Sequence, residues 1–363
     1  MTNKETLDTE AENTIQSKDY SLYGDEVLQS LNESKLNTPF SKHWKLSLKG
    51  ADIVDKNGEK FQLKGVCPVM YMEYSAFANK ELIKSLRDNR WCNVIRLALY
   101  TETLPQNWAK AYCQNDTEKH RLKKAIKDSI EACKELWMYV IIDWHILRDY
   151  SPLFHNKEAK EFFEDISKTF KDYDNIIYEI CNEPNGTPWK DIKKYSDTII
   201  PIIRGNNKDA IIIVGTPNWS QEANIKEEDR IKWENIMYAF HFYAATHKER
   251  HRKKLLDALE SWVPVFITEF GICEWTWDWK IDVEEAEKWF KIIDDYNLSY
   301  CTWNFSEYGT TSSILKPSPV FDKLKENEKD LTNDKSEPLN ITLTEDMLTE
   351  NWKIILNHFK WDN

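Results

Sequence analysis

Eight short apolar runs, rich in β-branched and aromatic residues, constrain this chain more than any other feature. They are FQLKGVC (61–67), NVIRLAL (93–99), MYVIIDW (138–144), NIIYEIC (175–181), AIIIVG (210–215), NIMYAFHF (235–242), VPVFITEF (263–270) and SYCTWNF (299–305). Runs of this length and composition, stopped by Gly, Pro or polar residues, read as strands buried on both faces. Amphipathic stretches lie between them, among them residues 118–136, 159–173 and 282–296, whose charged positions form the solvated face of a helix. Strands and helices alternating at intervals of roughly 35 residues indicate βα units and a parallel sheet. Eight units predict an α/β fold, a closed (β/α)8 TIM barrel forming a single catalytic domain, over a doubly wound sheet. No G-x-G-x-x-G follows the first run, which weakens a dinucleotide-binding reading.

The barrel is expected over residues 41–363, after a polar, acidic leader at 1–40. A charged surface insertion is expected at about 320–343, followed by a last helix at about 344–361 carrying Met347, Leu348, Trp352, Ile355, Leu356 and Phe359 on its apolar stripe. A hydrophobic share of 41% over 363 residues supplies a large core. The net charge of −12 has no clustered positive patch, which argues against nucleic acid or an anionic membrane as partner. No run of about 18 apolar residues is present to span a bilayer. The seven cysteines, Cys67, Cys92, Cys113, Cys133, Cys181, Cys273 and Cys301, have no metal-type spacing and are expected to be free and buried. The sequons at Asn185, Asn218 and Asn304 fall beside the expected cleft, where a glycan would block it, and are read as chance matches.

Polar residues recur where the apolar runs end. In a parallel barrel those carboxyl ends form the active-site face. Read in order they give Arg96, Tyr100, His145, Asn182, Glu183, Trp219, His241, Tyr243, Glu269 and Trp303. A lone histidine there is usually structural; titratable and donor groups at so many ends in register are not. Glu183 and Glu269 fall on the fourth and seventh runs, which face one another across an eight-stranded mouth. Paired carboxylates are what glycosidic cleavage requires, with separations of about 5–5.5 Å giving retention and about 6.5–9.5 Å giving inversion. The 16 tryptophans include core residues, and also rings suited to lining a sugar-binding cleft.

The segments NVIRLALY, IIDWHIL, IYEICNEP, IVGTPNWSQ, YAFHFYAATH, FITEFG and TWNFS together resemble, in order, the barrel of glycoside hydrolase family 5, most closely its bacterial endo-β-1,4-glucanase branch. The resemblance covers about residues 42–320. It implies a retaining glycosidase with Glu183 as acid/base and Glu269 as nucleophile. Arg96, His145, Asn182, His241, Tyr243 and Trp303 match the family's remaining active-site positions. Arg96 is then expected to favour the ionised form of Glu269, and the charge of Glu269 to raise the pKa of Glu183. Tyr100, His145, Trp219, His241 and His247 are expected to position substrate, and Trp303 to floor the subsite. The resemblance implies a β-linked polysaccharide or oligosaccharide substrate, no metal or organic cofactor, and a monomer.

Departures from the family pattern fall beyond the centre. Val69 and Glu73 stand where the branch has His and Trp, and Tyr308 stands near a family Lys. Tyr71, Tyr74 or the cluster Trp275, Trp277 and Trp279 are candidate replacement platforms, with loop packing the plain alternative for the tryptophans. The sequence alone leaves open a β-mannanase, a mixed-linkage glucanase, a transglycosylase or a non-catalytic carbohydrate binder. It also leaves location open: the family usually acts outside the cell, while the first residues lack the basic and apolar regions of a secretory signal.

Overall fold

The computed structural model describes residues 38–69, 75–103, 110–329 and 341–359. A short helix, α1 (Pro39–His43), and an antiparallel hairpin of β1 (Ser47–Lys49) and β2 (Asp52–Val54) precede the barrel. All eight predicted runs contribute strands: β3 (Lys64–Val66), β4 (Val94–Tyr100), β5 (Tyr139–His145), β6 (Ile176–Glu179), β7 (Ile212–Val214), β8 (Ile236–Tyr243), β9 (Val265–Gly271) and β10 (Tyr300–Thr302). Each pairs in parallel with its neighbours, and β10 pairs with β3 to close the barrel. Closure leaves no free sheet edge.

Helices α2 (Lys80–Asp88), α3 (Asp116–Glu135), α4 (Asn156–Thr169), α5 (Trp189–Asn206), α6 (Glu249–Glu260) and α7 (Val283–Asp295) pack outside the strands. Asn79, Asn115 and Asp282 cap three of them, each accepting from the backbone N–H three residues on. Such a cap contributes about 1 kcal/mol. The connection from β7 to β8 is the exception, holding only the turn Pro217–Ser220 and a 3-10 turn at Glu227–Asp229. Its sequence, TPNWSQEANIKEEDRIKWEN, carries no apolar stripe at helical spacing that could bury a helix.

Two apolar clusters hold the fold. One lies between strands and helices; the other fills the lumen with Val94, Tyr139, Ile141, Ile177, Ile213 and Phe266, and Phe40 and Phe61 join it. The barrel is therefore a packed core that supports whatever sits above it. Residues 319–329, expected to begin a surface insertion, instead form helix α8 (Pro319–Lys329) with Phe321 and Leu324 buried. The last helix, α9 (Glu350–Phe359), starts later than expected, after a 3-10 turn at Glu345–Met347, and buries Trp352, Ile355 and Leu356. Residues 1–37 of the leader, Tyr71, Glu73, Tyr74 and the middle of the charged stretch lie outside the described residues. All seven cysteines are free. Among the described residues, no helix is long and apolar enough to cross a membrane.

Candidate active site

The lumen turns polar one layer above its apolar filling. Side chains two residues apart on a strand share a face, so Val94, Ile141 and Ile177 place Arg96, Asp143 and Glu179 directly above them on β4, β5 and β6. All three are wholly buried. Arg96 Nε donates to Glu179 Oε2 at 2.6 Å and Nη2 to Glu179 Oε1 at 3.1 Å. Nη2 also reaches Asp143 Oδ2 at 2.9 Å and Asn182 Oδ1 at 2.7 Å. Nη1 faces Cys67 Sγ at 3.2 Å and Glu269 Oε2 at 3.4 Å.

Glu269 joins this layer through a bulge. Ala239 pairs with Phe266 and His241 with Glu269, so β9 spends three residues where β8 spends two. Simple alternation from Phe266 would turn Thr268 inward and Glu269 out. The extra residue re-aims the glutamate, a use of bulges common beside active sites. Tyr243 Oη donates to Glu269 Oε1 at 2.5 Å.

Glu183 is not on a strand. β6 ends at Glu179, and Asn182 and Glu183 sit on the loop beyond it. That loop is tied down: Trp219 N–H donates to Pro184 O at 3.1 Å, Ser220 Oγ to Asn182 O at 2.6 Å, and Asn185 N–H to Tyr150 O at 2.9 Å. His241 Nδ1 lies 2.7 Å from Glu183 Oε1, and its Nε2 lies 2.8 Å from Thr268 Oγ1. The Glu183 side chain is 12% exposed, against 4% for Glu269 and 2% for His241. It is the most accessible of the three.

Burial sets the protonation of the cluster. It pushes Glu183 up to about 8, with Asp143 and Glu179 adding to the rise against Arg96. The expected rise is present, with burial as its largest cause. Burial also raises Glu269, and Glu183 adds to the rise, while His241 and Arg96 hold it down. The expected pull of Arg96 is present but does not dominate. Burial lifts Asp143 to about 7 and lowers His241 to about 4, leaving that imidazole neutral near neutral pH. Burial opposes the charge on Arg96, but Asp143 and Glu179 outweigh it and raise its pKa.

The other expected residues divide into two groups. His145 belongs to the centre: its Nδ1 lies 2.6 Å from Asp143 Oδ2 and its Nε2 3.3 Å from Asn182 Nδ2. Trp219 is half-buried, edge-on to Tyr150 beside the Glu183 loop. Tyr100, Trp303 and His247 stand behind the surface. Tyr100 is buried with its ring 4.1 Å from that of His145. Trp303, the expected floor of the subsite, is 1% exposed, stacked on His145 and tilted against Trp277. His247 Nδ1 accepts from the Tyr243 backbone N–H at 2.8 Å, which makes it a support for that tyrosine. Val69 is buried and bridges to Ala98.

Residues 54–309 match the cellulase family, glycosyl hydrolase family 5. The chain belongs to glycosyl hydrolase family 5. Among its relatives, Endoglucanase A of Butyrivibrio fibrisolvens is 40% identical over 306 residues, covering 83% of this chain and 68% of that protein. An endoglucanase of Clostridium saccharobutylicum is 39% identical over 274 residues, covering 75% of this chain and 59% of that protein. The chain thus spans between about half and two thirds of the length of these family 5 relatives. The catalytic domain of Thermobifida fusca endoglucanase Cel5A, as a variant in complex with cellotetraose, superposes with a TM-score of 0.75 at 26% identity, covering 89% of this chain and 99% of that one.

Within this family 5 barrel, Asp143, Glu179 and Thr268 escaped the sequence reading. The available signal was an acidic residue inside a strand that is otherwise Ile, Tyr and Trp, since a buried charge must be paired. Glu183, His241 and Glu269 bring three ligand atoms within 4.8 Å of one another, a set able to hold a divalent cation. The Arg96 guanidinium beside Glu269 competes for that role.

Proposed function

We propose that Glu183 and Glu269 cleave internal β-1,4 bonds of cellulose-type glucan by double displacement. The observation that carries this reading is the pair itself. The two carboxylates bring oxygens within 4.8 Å of each other, yet they stand in opposed environments. Glu269 faces Arg96 and a Tyr243 hydroxyl, both of which favour a carboxylate. Glu183 shares its hydrogen bond with a neutral imidazole and has a pKa of about 8, so it holds a proton at neutral pH. Separation and asymmetry both fit retention better than the wider, water-holding gap of inversion.

In the first step Glu269 attacks the anomeric carbon as the glycosidic C–O bond breaks, and the Glu183 proton passes to the leaving oxygen. In the second, the Glu183 carboxylate takes a proton from water, whose oxygen displaces Glu269 from the anomeric carbon. Arg96 and Tyr243 stabilise Glu269 whenever it is free. Asn182, fixed by Arg96 and Ile146 O, stands next to Glu183 where it can meet the 2-hydroxyl of the sugar being cleaved. The substrate class is supported by endoglucanases at 39–40% identity and by the neighbour that holds cellotetraose.

The test is reducing-end release and viscosity loss on carboxymethylcellulose. An endo-acting enzyme lowers viscosity well ahead of sugar release, Glu269→Gln abolishes both, and proton NMR finds the β-anomer formed first. A first-formed α-anomer would defeat double displacement.

A further inference from the structure

The loop after β9, residues 272–282, carries three tryptophans that chemistry at the carboxylates does not use. Trp277 is half-buried and packs on Trp303 with ring centroids 5.4 Å apart, which accounts for it as loop packing. Trp275 and Trp279 are 62% and 72% exposed, so packing does not account for them. Tyr308, on the loop after β10, adds a third open ring at 50%.

These rings stand on a braced backbone. Asp278 Oδ1 accepts from Thr311 N–H at 3.2 Å and from Thr311 Oγ1 at 2.8 Å, and Ser312 N–H donates to Trp277 O at 2.9 Å. Those bonds latch the β9 and β10 loops together. Trp275 N–H donates to Thr246 Oγ1 at 3.1 Å, and Asp282 N–H to Ile272 O at 3.0 Å. Trp277 and Trp279 hold φ of 68° and 69°, a region that bulky side chains occupy only when surroundings enforce it and that clusters at ligand clamps. A braced, strained loop that exposes its largest apolar groups beside an active site has the features of a ligand contact. The loop directly follows β9, the strand that carries Glu269, and Trp277 ties it to Trp303 and so to His145 of the centre, which sets the rim beside the carboxylates. Flat indoles match the C–H faces of glucosyl rings. The acidic neighbours Glu274 and Asp278 disfavour an anionic polymer.

We propose that Trp275 and Trp279, with Tyr308 on the latched β10 loop, form a platform for β-1,4-glucosyl units beyond the one cleaved, on the Trp303 side of the scissile bond. The proposal rests on the glucanase reading above. It makes the enzyme selective for longer chains through residues that never touch the reacting atoms.

The experiment compares kcat/KM on cellohexaose with kcat/KM on an aryl cellobioside too short to reach the rim. In W275A/W279A the ratio of the two falls about tenfold. Asp278→Ala, which releases the latch, moves the ratio the same way by a smaller factor. As a readout independent of turnover, cellohexaose titrated into Glu269→Gln protein binds about tenfold more weakly when both tryptophans are also replaced, while cellobiose binding stays level. Equal losses on both substrates, or no change in the ratio, overturn the platform. Wild-type protein inactive on both substrates would defeat the glucanase reading instead, and the titration alone would then decide whether the rim binds glucan.

Discussion

The Tyr243 hydroxyl donates to Glu269 Oε1 at 2.5 Å, and the backbone N–H of the same tyrosine is held by His247 Nδ1 at 2.8 Å. The hydrogen bond is worth most when Glu269 is ionised, so it serves a nucleophile before attack and after release. His247, held down to about 3 by burial and by nearby cations, stays neutral and keeps its acceptor nitrogen at working pH. Tyr243→Phe should lower kcat/KM roughly 10–100-fold, as expected for one hydrogen bond to a charged group. The acid limb of the pH profile should also move to higher pH, because Glu269 loses a donor that favours its charge. His247→Ala should give a smaller change of the same kind.

The pH dependence of the wild type follows from two opposite requirements. Glu183 must carry its proton, so kcat/KM should fall as pH rises through about 8. Glu269 must be ionised, so activity should also fall on the acid side, at a pH above the ordinary glutamate range. The limbs belong to the coupled pair and not to either residue alone. Glu183→Gln should erase the basic limb and cost roughly 10²–10⁴ in kcat/KM on glucan, the span of general acid catalysis. An aryl cellobioside with a good leaving phenol should lose much less in its first step. A basic limb that survives Glu183→Gln would sink the assignment.

The strands and most of the centre were legible because periodicity and residue type carry them. A buried run such as VIRLALY can hold an arginine only if something pairs it; the strand ends announced Glu269, while the nearer partners Asp143 and Glu179 went unread. What remained hidden depends on geometry that pattern does not encode. The bulge that turns Glu269 inward reverses the face that alternation from Phe266 would assign, and no single residue announces it. Glu183 read as a strand end because IIYEICNEP stays apolar to its end, while pairing stops at Glu179. His247 and Trp303 have the chemistry of substrate contacts. Their packing is set by tertiary neighbours that pattern does not show, Tyr243 for one and His145 with Trp277 for the other.

Arg96 is the cation that makes the polar layer tolerable. Arg96→Leu would leave Asp143, Glu179 and Glu269 buried without it, and removing one partner of a buried ion pair costs about 3–5 kcal/mol. The loss should depend on pH. Asp143 at about 7 and Glu179 both titrate above their ordinary values in the folded protein, so the folded state binds more protons than the unfolded one. Their contribution is therefore full below the unfolded carboxylate range and is lost as pH rises through the folded values. Without Arg96 those values climb further, and the deficit against wild type should be larger at pH 8 than at pH 5. Calorimetry at both pH values reads this directly; an equal drop in Tm at the two would contradict it.

Two glycines separate stability from catalysis. A Cβ on Gly65 would meet Cys301 Sγ and Val94 Cγ1, each at 2.6 Å, inside the barrel wall below the polar layer. A Cβ on Gly215 would sit 2.4 Å from Cys181 O and 2.7 Å from Asn182 O, pressing on the backbone that carries Glu183. Overpacking at either site should cost about 1–3 kcal/mol and lower Tm by a few degrees. Only Gly215→Ala should also displace the acid, and a shift near 1 Å at a reacting group can cost about 10²-fold in rate. Assayed well below both transitions, Gly65→Ala should keep kcat/KM within a few-fold of wild type while Gly215→Ala loses roughly 10²-fold. Similar activity in the two variants would mean that the loop beyond β6 absorbs the clash without moving Glu183.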